Sequence, residues 1–160
     1  MSDIRVGIGH DLHRLQRGER LILAGISIPS EYEAMGHSDA DVVLHAVTDA
    51  ILGAASLGDI GRLFPDSEPR YANADSKLFV AEAIRLARNI GFVIGNVDAT
   101  IILERPLLAP HIATMRLELV KILGIPLDHV SIKSKTGEQI GPIGQNKAIA
   151  CEAIILLMEN

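Results

Sequence analysis

Residues 37–54 read HSDADVVLHAVTDAILGA, and this stretch decides how the rest of the chain can pack. Its spacing predicts a helix that begins after a cap at Ser38 or Asp39 and runs to about Gly53. The side chains of that helix are apolar nearly all round, which is typical of a helix in a protein interior. The flanking segments must therefore bury it.

Segments with strand and helix patterns alternate around this central helix. The periodicity predicts strands over Ile4–His13, Ile22–Ile28, Val97–Leu103 and Val130–Lys135, amphipathic helices from Asp75 or Ser76 to Gly91 and over Ala109–Leu123, and loops over Gly58–Pro69 and Gly137–Gly144. The last apolar run, Ala148–Met158, fits a buried strand or a buried helix, and its consecutive isoleucines favour the strand. This order predicts an α+β fold, an α/β sandwich in which one mainly β-sheet layer packs against helices, with a single domain over residues 1–160.

Composition excludes several classes of protein. The 160 residues carry a net charge of −5, with 48% hydrophobic residues, 3% aromatic residues and no Trp, so the chain lacks the basic field and stacking platforms of a nucleic-acid binder. Its single cysteine, Cys151, cannot form an intramolecular disulfide. No apolar run approaches the roughly 20 residues that span a bilayer, and no signal-peptide pattern follows the first residues. We expect a protein of a reducing compartment that does not bind membranes.

The first motif that suggests chemistry is Asp11-Leu12-His13, in the first predicted strand. Residues two apart on a strand share a face, so the carboxylate and the imidazole converge and could form half of a Zn²⁺ site. A polar strand end would have the same sequence, and the motif alone does not separate the two interpretations.

A polar stripe on the central helix is the second candidate feature. Asp41, His45 and Asp49 recur at four-residue spacing on an otherwise apolar surface. A single histidine on such a helix is commonly a hydrogen-bonded core residue. Two carboxylates near this histidine favour a functional site instead, because buried charges are costly unless they are paired or bind a metal. His45 together with Asp11 and His13 would supply three ligands and leave a fourth position open, as in catalytic zinc sites.

Two further segments could bind anions. Gly36–Asp39 places a hydroxyl and amide groups at a predicted helix N-terminus, where free N–H donors attract negative charge, although a simple Ser or Asp cap would have the same sequence. Lys133–Glu138, KSKTGE, brings lysines and a hydroxyl next to a carboxylate at a strand end, which suits a phosphate with a divalent cation. A solvated charged turn is the alternative there, and the glycine spacing is not that of a P-loop.

Taken in order, a series of motifs closely resembles the 2-C-methyl-D-erythritol 2,4-cyclodiphosphate synthase family over essentially the whole chain. The motifs are Gly7–His13, His37–Asp41 with His45, Leu57–Gly61 with Phe64–Asp66, Gly95–Asp98, Pro110-His111, Lys133–Glu138 and Ala150–Glu152. The combination of D-x-H with H-S-D-x-D-x-x-x-H is the most specific part of the resemblance.

The resemblance implies a homotrimeric enzyme of the non-mevalonate route to isoprenoid precursors, with active sites between adjacent subunits. The implied small-molecule substrate is 4-diphosphocytidyl-2-C-methyl-D-erythritol 2-phosphate. Its 2-phosphate would attack the β-phosphorus of the CDP moiety, expel CMP and close the cyclic diphosphate, which is the reaction of a phosphorus–oxygen lyase. The implied location is the cytoplasm, or the plastid stroma if a transit peptide has been removed, with no nucleic-acid or membrane partner.

The resemblance also implies roles for individual residues. The implied metal ligands are Asp11, His13 and His45 for Zn²⁺ and Glu138 for a second divalent cation, Mg²⁺ or Mn²⁺. The implied catalytic residues are His37 and Thr136, which would flank the transition state. The implied substrate contacts are Ser38 for a phosphate, then Asp49, Asp59, Gly61, Phe64, Pro65, Asp66, Ser67 and Glu68 for the methylerythritol portion, Leu103, Pro106, Leu107, Leu108, Ala109 and Lys135 for the cytidine side, and also Pro142 and Gln145.

The chain departs from the family pattern at three positions. Ala40 stands where the family usually has Gly; a positive φ would strain alanine, but we expect the residue just inside the helix, where alanine is tolerated. Ser134 replaces a more usual alanine, a minor change. Gln145 replaces an arginine that in many members pairs with a glutamate, here Glu152, lining the central cavity of the trimer, so this cavity loses a cation.

Two other functions would use the same residues. A zinc phosphohydrolase acting on a nucleotide-diphosphate substrate would employ the three ligands to activate water instead of closing a ring. A non-enzymatic oligomeric binding module would use the glycine-rich and apolar surfaces, and its activity would survive replacement of Asp11 or His45 by alanine.

Overall fold

A five-stranded mixed sheet and a separate two-stranded hairpin form the β-layer of the protein. The structure is a computed structural model that describes residues 3–65 and 67–160. The strands are β1 (Ile4–Arg17), β2 (Arg20–Leu23), β3 (Ile26–Pro29), β4 (Tyr32–Ala34), β5 (Phe92–Ile102), β6 (Val130–Lys135) and β7 (Ala148–Glu159). The helices are α1 (Val42–Ala54), α2 (Ile60–Leu63), α3 (Lys77–Asn89), α4 (Ile112–Leu123) and α5 (Gly141–Gly144), and 3₁₀ turns cover Pro69–Tyr71, Ala109–His111 and Leu127–His129.

The large sheet has the strand order β4-β1-β7-β5-β6, and only the β5–β6 pair is parallel. Its two central strands come from opposite ends of the chain: β1 pairs with β7 from Ile4–Met158 to Arg14–Ala148. Helix α1 packs on β1 and β7, α3 on β5 and α1, and α4 on β6. The expected α/β sandwich, one mainly β layer against helices, is confirmed.

Two glycines bring β1 directly against the backbone of α1. A Cβ added at Gly7 would lie 2.0 Å from the carbonyl oxygen of Ala50, and one at Gly9 would lie 1.9 Å from that of Ala46. The large apolar side chains of β1 therefore occupy the opposite face of the sheet, where Val6 is 64% exposed and Ile8 is 68% exposed. The strand alternates as predicted, but glycine rather than isoleucine is the residue that faces the helices.

Burial of the central helix is confirmed. Its fully or nearly fully buried residues are Val42, Val43, Leu44, Ala46, Val47, Thr48, Ala50, Ile51, Leu52 and Ala54. They belong to one core that continues through α3, α4 and the helix-facing residues of β5, β6 and β7. Each of these strands contributes alternate apolar residues to that core, which explains why β7 is a strand and not the alternative buried helix.

The largest error of the sequence prediction concerns Ile22–Ile28. It is not one strand but a hairpin, β2 and β3, in a sheet of its own. Ala24 and Gly25 form its turn with φ values of 52° and 77°, a left-handed pair that matches the twist of the flanking strands. Alanine is uncommon at such a position, so the reversal has a weak sequence signal.

Other boundaries differ less. The predicted loop Gly58–Pro69 contains α2, the predicted loop Gly137–Gly144 ends in α5, and β5 begins at Phe92 rather than Val97. The strand over Val130–Lys135 is as predicted. The helix predicted over Ala109–Leu123 ends as predicted, before Gly124 caps it at φ 67°, but it begins at Ile112 after the 3₁₀ turn Ala109–His111. Among the described residues no helix has the length and apolar character needed to cross a membrane.

Candidate active site

Three metal-binding side chains converge where β1 meets α1. Asp11 and His13 lie on the helix-facing side of β1, and His45 lies one turn into α1. Asp11 Oδ2 is 2.8 Å from His13 Nε2 and 3.0 Å from His45 Nδ1. The two imidazole nitrogens are 3.1 Å apart. The convergence of Asp11 and His13, expected from their spacing, is confirmed, and His45 joins them as the hypothesis of a three-ligand site required.

The outer nitrogens of the two imidazoles have partners elsewhere in the fold, so the inner nitrogens, His13 Nε2 and His45 Nδ1, are the atoms that would bind a metal. His13 Nδ1 lies 3.0 Å from the carbonyl oxygen of Met35, which can only accept, so Nδ1 carries a hydrogen. His45 Nε2 contacts the hydroxyls of Ser38 and Ser76 at 3.0 and 2.9 Å. Ligand atoms bound tetrahedrally at about 2.0–2.1 Å from a metal lie about 3.3 Å apart. The triad therefore has the donor set and nearly the spacing that hold one divalent cation.

The charges of the triad also favour a cation. Burial favours the neutral form of the Asp11 carboxyl, but hydrogen bonds with His13 and His45 outweigh burial and hold its pKa well below the usual range. Burial lowers the pKa of His13, whereas the hydrogen bond and charge of Asp11 raise it, and the net result is a raised pKa. Positive charge is stabilised here, whether it is a proton on His13 or a bound metal ion.

Asp41 is not part of an open polar stripe, contrary to the sequence interpretation. It is completely buried and caps α1, accepting hydrogen bonds from the amides of Val43 and Leu44. It also accepts from the amides of Ala24 and Gly25, at 3.0 and 2.7 Å, in the hairpin turn. Burial raises its pKa to about 6, against the opposing effect of these hydrogen bonds. Asp41 therefore joins the hairpin to the helix and is not a ligand.

The expected cap at Ser38 or Asp39 is wrong, because the helix begins at Val42, after Asp41. Ser38 and Asp39 instead belong to the loop before it, with Ser38 Oγ facing His45. Ala40 lies in this loop with φ 56° and is not inside the helix, so alanine occupies a conformation that favours glycine.

A cavity of about 590 Å³ opens beside the triad. Its lining includes the expected residues Asp11, His13, His37, Ser38, His45, Gly61, Phe64, Pro65 and Ser67. Another part of the wall is aromatic: the Phe64 ring centroid is 4.7 Å from Phe79 and 5.5 Å from Tyr71, and Phe79 in turn lies 6.0 Å from His45. Sequence reasoning missed Tyr71 and Phe79. One part of the cavity wall thus suits charge and another part suits a hydrocarbon surface.

Asp49 and Asp59 flank this cavity through backbone contacts. Asp49 Oδ1 accepts a hydrogen bond from the amide of Ile60 at 2.7 Å, and burial raises the pKa of Asp49. Asp59 caps the short helix α2 by accepting from the amide of Arg62 at 2.9 Å. Both carboxylates hold the segment that carries Gly61 and Phe64.

A second group of expected residues lines a different, smaller cavity of about 140 Å³. Its lining consists of Leu103, Leu107, Leu108, Ala109, Ser134, Lys135 and Thr136. Thr136 Oγ1 contacts the exposed Glu138 at 3.1 Å, so Glu138 belongs to this group. Within one chain the triad and the second group line separate cavities. Among the described residues the only cluster of three or more potential metal ligands is Asp11, His13 and His45.

The sequence profile of the YgbB family matches residues 4–158. The chain belongs to the YgbB family. It is 50% identical to 2-C-methyl-D-erythritol 2,4-cyclodiphosphate synthase of Cupriavidus metallidurans, over 97% of this chain and 92% of that protein, and 49% identical to that of Gloeobacter violaceus, over 98% and 96%. The family resemblance inferred from the motifs is confirmed.

Solved structures agree with this membership. One structure of 2C-methyl-D-erythritol-2,4-cyclodiphosphate synthase superimposes with a TM-score of 0.89 at 40% identity, covering 96% of this chain and 99% of that one. The CDP complex of IspF from Plasmodium falciparum gives a TM-score of 0.87 at 34% identity, covering 100% of this chain and 99% of that one. The YgbB fold therefore extends over the whole sandwich described here.

The other residues that were expected to contact substrate lie apart from one another in this YgbB-family chain. Pro106 lines a third cavity with Leu107 and Tyr32, and Pro142 lines a fourth with Leu12 and Lys147. Gln145 is exposed at the end of α5, and Glu68 is exposed with its carboxylate 3.6 Å from Arg70. Asp66 lies outside the described residues. The chain alone does not bring these positions to the metal triad.

Glu104 is a further residue that sequence reasoning missed. Its carboxylate accepts hydrogen bonds from the amides of Gly137 and Gln139, at 3.0 and 3.4 Å, in the glycine-rich loop Gly137–Gly144. That loop is tightly folded: a Cβ at Gly144 would lie 2.3 Å from the carbonyl carbon of Gln139. Glu104 thus ties the Leu103–Ala109 segment to the loop next to Thr136.

Proposed function

We propose that this chain converts 4-diphosphocytidyl-2-C-methyl-D-erythritol 2-phosphate into 2-C-methyl-D-erythritol 2,4-cyclodiphosphate and CMP. The observation that carries this proposal is the Asp11–His13–His45 triad, open to a cavity whose wall is charged in one part and aromatic in another. Its chemistry suits a phosphorylated substrate with a small carbon skeleton. Half of the residues are shared with synthases of that name over nearly their full length.

The reaction is an intramolecular displacement at phosphorus. An oxygen of the 2-phosphate forms a bond to the β-phosphorus, and the bond from the β-phosphorus to the bridging oxygen of CMP breaks, with the electron pair leaving on CMP. No water is consumed, so the enzyme is a phosphorus–oxygen lyase. Such a step needs little covalent participation by protein, and positioning and charge neutralisation provide the catalysis.

Zn²⁺ would be held by Asp11, His13 and His45, and Mg²⁺ or Mn²⁺ by Glu138 together with oxygens of the substrate. These cations neutralise phosphate charge and make the phosphorus more electrophilic. Ser38 would donate its hydroxyl to a phosphate oxygen. His37 lines the cavity, and its buried Nε2 has no hydrogen-bond partner among the described residues, so its hydrogen-bonding capacity is unused and a small turn of the ring would present it to substrate. Thr136 would contact the diphosphate from the second group of residues.

Active sites between subunits of a homotrimer would unite the two groups. Two observations support this arrangement: the triad and Thr136 line separate cavities within one chain, and the outer face of the sheet is apolar. On that face Ile4, Val6, Ile8, Leu12, Ile154 and Met158 are 38% to 68% exposed. Contiguous apolar patches of this kind are typical of protein interfaces. Light scattering should give the mass of three chains, and Ile8→Glu should reduce it.

³¹P NMR with the proposed substrate tests the reaction. With Zn²⁺ and Mg²⁺ we expect resonances of a cyclic diphosphate and CMP, which a chelator should abolish. Asp11→Asn should lower kcat/KM by about 100-fold or more, since several kcal/mol of charge stabilisation depend on the metal. The exposed Asp128→Asn is the matched control and should retain activity.

The products distinguish the alternatives. Oxygen from labelled water in the product, with a ring-opened phosphate, would identify a zinc phosphohydrolase. A native chain that binds the substrate without any turnover, and an Asp11→Ala variant that binds it equally well, would identify a non-enzymatic binding module. Either result would refute the cyclisation.

A further inference from the structure

The hydrogen bonds of the Ser76 hydroxyl are not those expected of a serine at the start of a helix. Ser76 is completely buried at the N-cap of α3, the position where a serine usually accepts a hydrogen bond from the first turn of its own helix. Its side chain makes no such bond. Instead Ser76 Oγ lies 2.9 Å from His45 Nε2 and contacts Asp39 Oδ1. The Ser76 hydroxyl therefore does not cap its own helix but contacts His45, a residue of the metal triad.

The directions of these hydrogen bonds follow from their partners. An ionised carboxylate only accepts, so the Ser76 hydroxyl donates to Asp39, and its oxygen accepts from His45 Nε2–H. Asp39 is itself held by the amides of Asp41 and Ser76, at 3.2 and 3.1 Å. The chain His45–Ser76–Asp39 thus holds hydrogen on Nε2 and keeps the ring oriented with Nδ1 on the side of Asp11 Oδ2, where the Nδ1 lone pair would be available once a metal ion replaces the hydrogen between them.

Ser38 competes for the same hydrogen of His45. Its Oγ lies 3.0 Å from Nε2, and one N–H shared between two acceptors gives each a weaker bond. The two serines differ in surroundings: Ser38 lines the cavity on the loop before α1, whereas Ser76 is inaccessible and held by Asp39. Ser38 can turn toward a ligand without leaving Nε2 unpartnered, because Ser76 remains.

We propose that Ser76, oriented by Asp39, is a positioning residue that presents His45 Nδ1 to the metal, and that Ser38 is the exchangeable partner of the same histidine. This role rests on the proposed metal site. The hydroxyls of Ser76 and Ser38, which both contact His45 Nε2, would then have different roles. The buried hydroxyl fixes the metal ligand, and the cavity hydroxyl is released for substrate.

Metal affinity in the absence of substrate tests the proposal. In competition with a chromophoric chelator, Ser76→Ala should weaken Zn²⁺ binding about 10- to 100-fold, the usual effect of removing the partner of a ligating histidine. Ser38→Ala should change the affinity by less than about threefold, since Ser76 still holds Nε2. Ser27→Ala, on the exposed side of β3, is the control for serine loss and should bind like the native chain.

A purely structural role of Ser76 would give a different pattern. It would lower the Tm of the metal-free protein but leave unchanged both the rise in Tm on adding Zn²⁺ and the absorption spectrum of bound Co²⁺. We expect Ser76→Ala to reduce the former and alter the latter. Asp39→Asn, which keeps the size and an acceptor oxygen, should show the same changes to a lesser degree and serves if Ser76→Ala does not fold.

The outcomes separate the two proposals. A native chain that fails to bind Zn²⁺ would overturn the metal site and the role of Ser76 with it. A native chain that binds Zn²⁺, with Ser76→Ala and Asp39→Asn of equal affinity and equal Co²⁺ spectra, would overturn the role of Ser76 alone. Equal losses in Ser38→Ala and Ser76→Ala would overturn the division between a fixed and an exchangeable hydroxyl.

Discussion

Replacement of Gly9 by alanine should disturb both the packing of the sandwich and the metal triad. A Cβ at this position would lie 1.9 Å from the carbonyl oxygen of Ala46 and 2.8 Å from the amide nitrogen of Ala50. Both atoms belong to the backbone of α1, so they cannot move away by a change of side-chain rotamer. The strand and the helix must therefore separate by about 1.5 Å before ordinary van der Waals contact is restored.

The energetic cost of that separation can be bounded. Inserting a methyl group into a packed core costs about 1–3 kcal/mol, and more when the obstacle is rigid, so we expect about 3 kcal/mol for Gly9→Ala. For a domain of this size each kcal/mol lowers Tm by about 2–4 °C. His45 adjoins Ala46, so the same displacement lengthens the distances from His45 Nδ1 to Asp11 and His13, which are 3.0 and 3.1 Å. A displacement of about 1 Å should weaken Zn²⁺ binding about 100-fold.

Urea unfolding of the metal-free protein and chelator competition for Zn²⁺ measure the two effects separately. Gly53→Ala is the matched control on the same helix, because its Cβ would meet nothing closer than the carbonyl oxygen of Ile8 at 3.8 Å. Alanine in a helix should stabilise the protein there by about 0.5–1 kcal/mol and leave Zn²⁺ affinity unchanged.

Two results would refute this reasoning. Native stability in Gly9→Ala would mean that backbone contact does not limit the approach of α1 to β1. A large loss of stability with undiminished Zn²⁺ affinity would mean that the triad does not depend on that contact.

Three other substitutions test separate contacts. Asp41→Ala should cost about 2–4 kcal/mol in urea unfolding, because it removes a helix cap and leaves two buried turn amides unpaired; destabilisation below about 1 kcal/mol would contradict the inferred link between hairpin and helix. Glu104→Ala should lower kcat/KM about tenfold with little change in Tm, since it frees the exposed glycine-rich loop; equal losses in thermal stability and activity would indicate a structural role instead. Glu118→Gln should cost about 0.5 kcal/mol at pH 7, where the carboxylate pairs with Lys77 at 2.7 Å. Hydrogen bonds from lysines lower the pKa of Glu118, so its stabilising contribution exists above the ordinary value of 4.5 and disappears as the pH falls below it. The stabilities of the native chain and of the Glu118→Gln variant should therefore converge in acid, and a gap that persists at about pH 3 would refute this.

Local patterns were sufficient to predict much of the sandwich. Val130–Lys135 was predicted as a strand, and for Ala148–Met158 a strand was favoured over a buried helix. The structure has strands at both places, because β-branched residues and alternate burial act over short distances. The convergence of Asp11 and His13 was predictable for the same reason, because a D-x-H pair shares a strand face. His45 was a weaker prediction, since a single histidine on an apolar helix is commonly a hydrogen-bonded core residue, and only the neighbouring carboxylates favoured a metal site.

Contacts between distant segments could not be predicted in this way. Periodicity groups the residues of β1 into two faces but does not say which is buried, and the close approach of α1 reverses the usual expectation at Gly7 and Gly9. Asp41 was interpreted as part of a polar stripe on the helix because its hydrogen-bond partners, Ala24 and Gly25, lie in a hairpin that the sequence did not predict. The homotrimer and the roles of the substrate-contacting residues stay predictions.

The backbone contact between β1 and α1 has a consequence for substitutions in the core of this chain. Core side chains drift in size, and in most packed layers such drift alters the spacing between neighbouring elements. Here the two elements that carry the triad meet main chain to main chain, at Gly9 and Ala46, so no variable side chain lies between them. The ligand spacing is thereby insulated from substitutions elsewhere in the interior. Substitutions of core side chains away from Gly9 and Ala46 should therefore alter the stability of this chain more than its affinity for a metal ion.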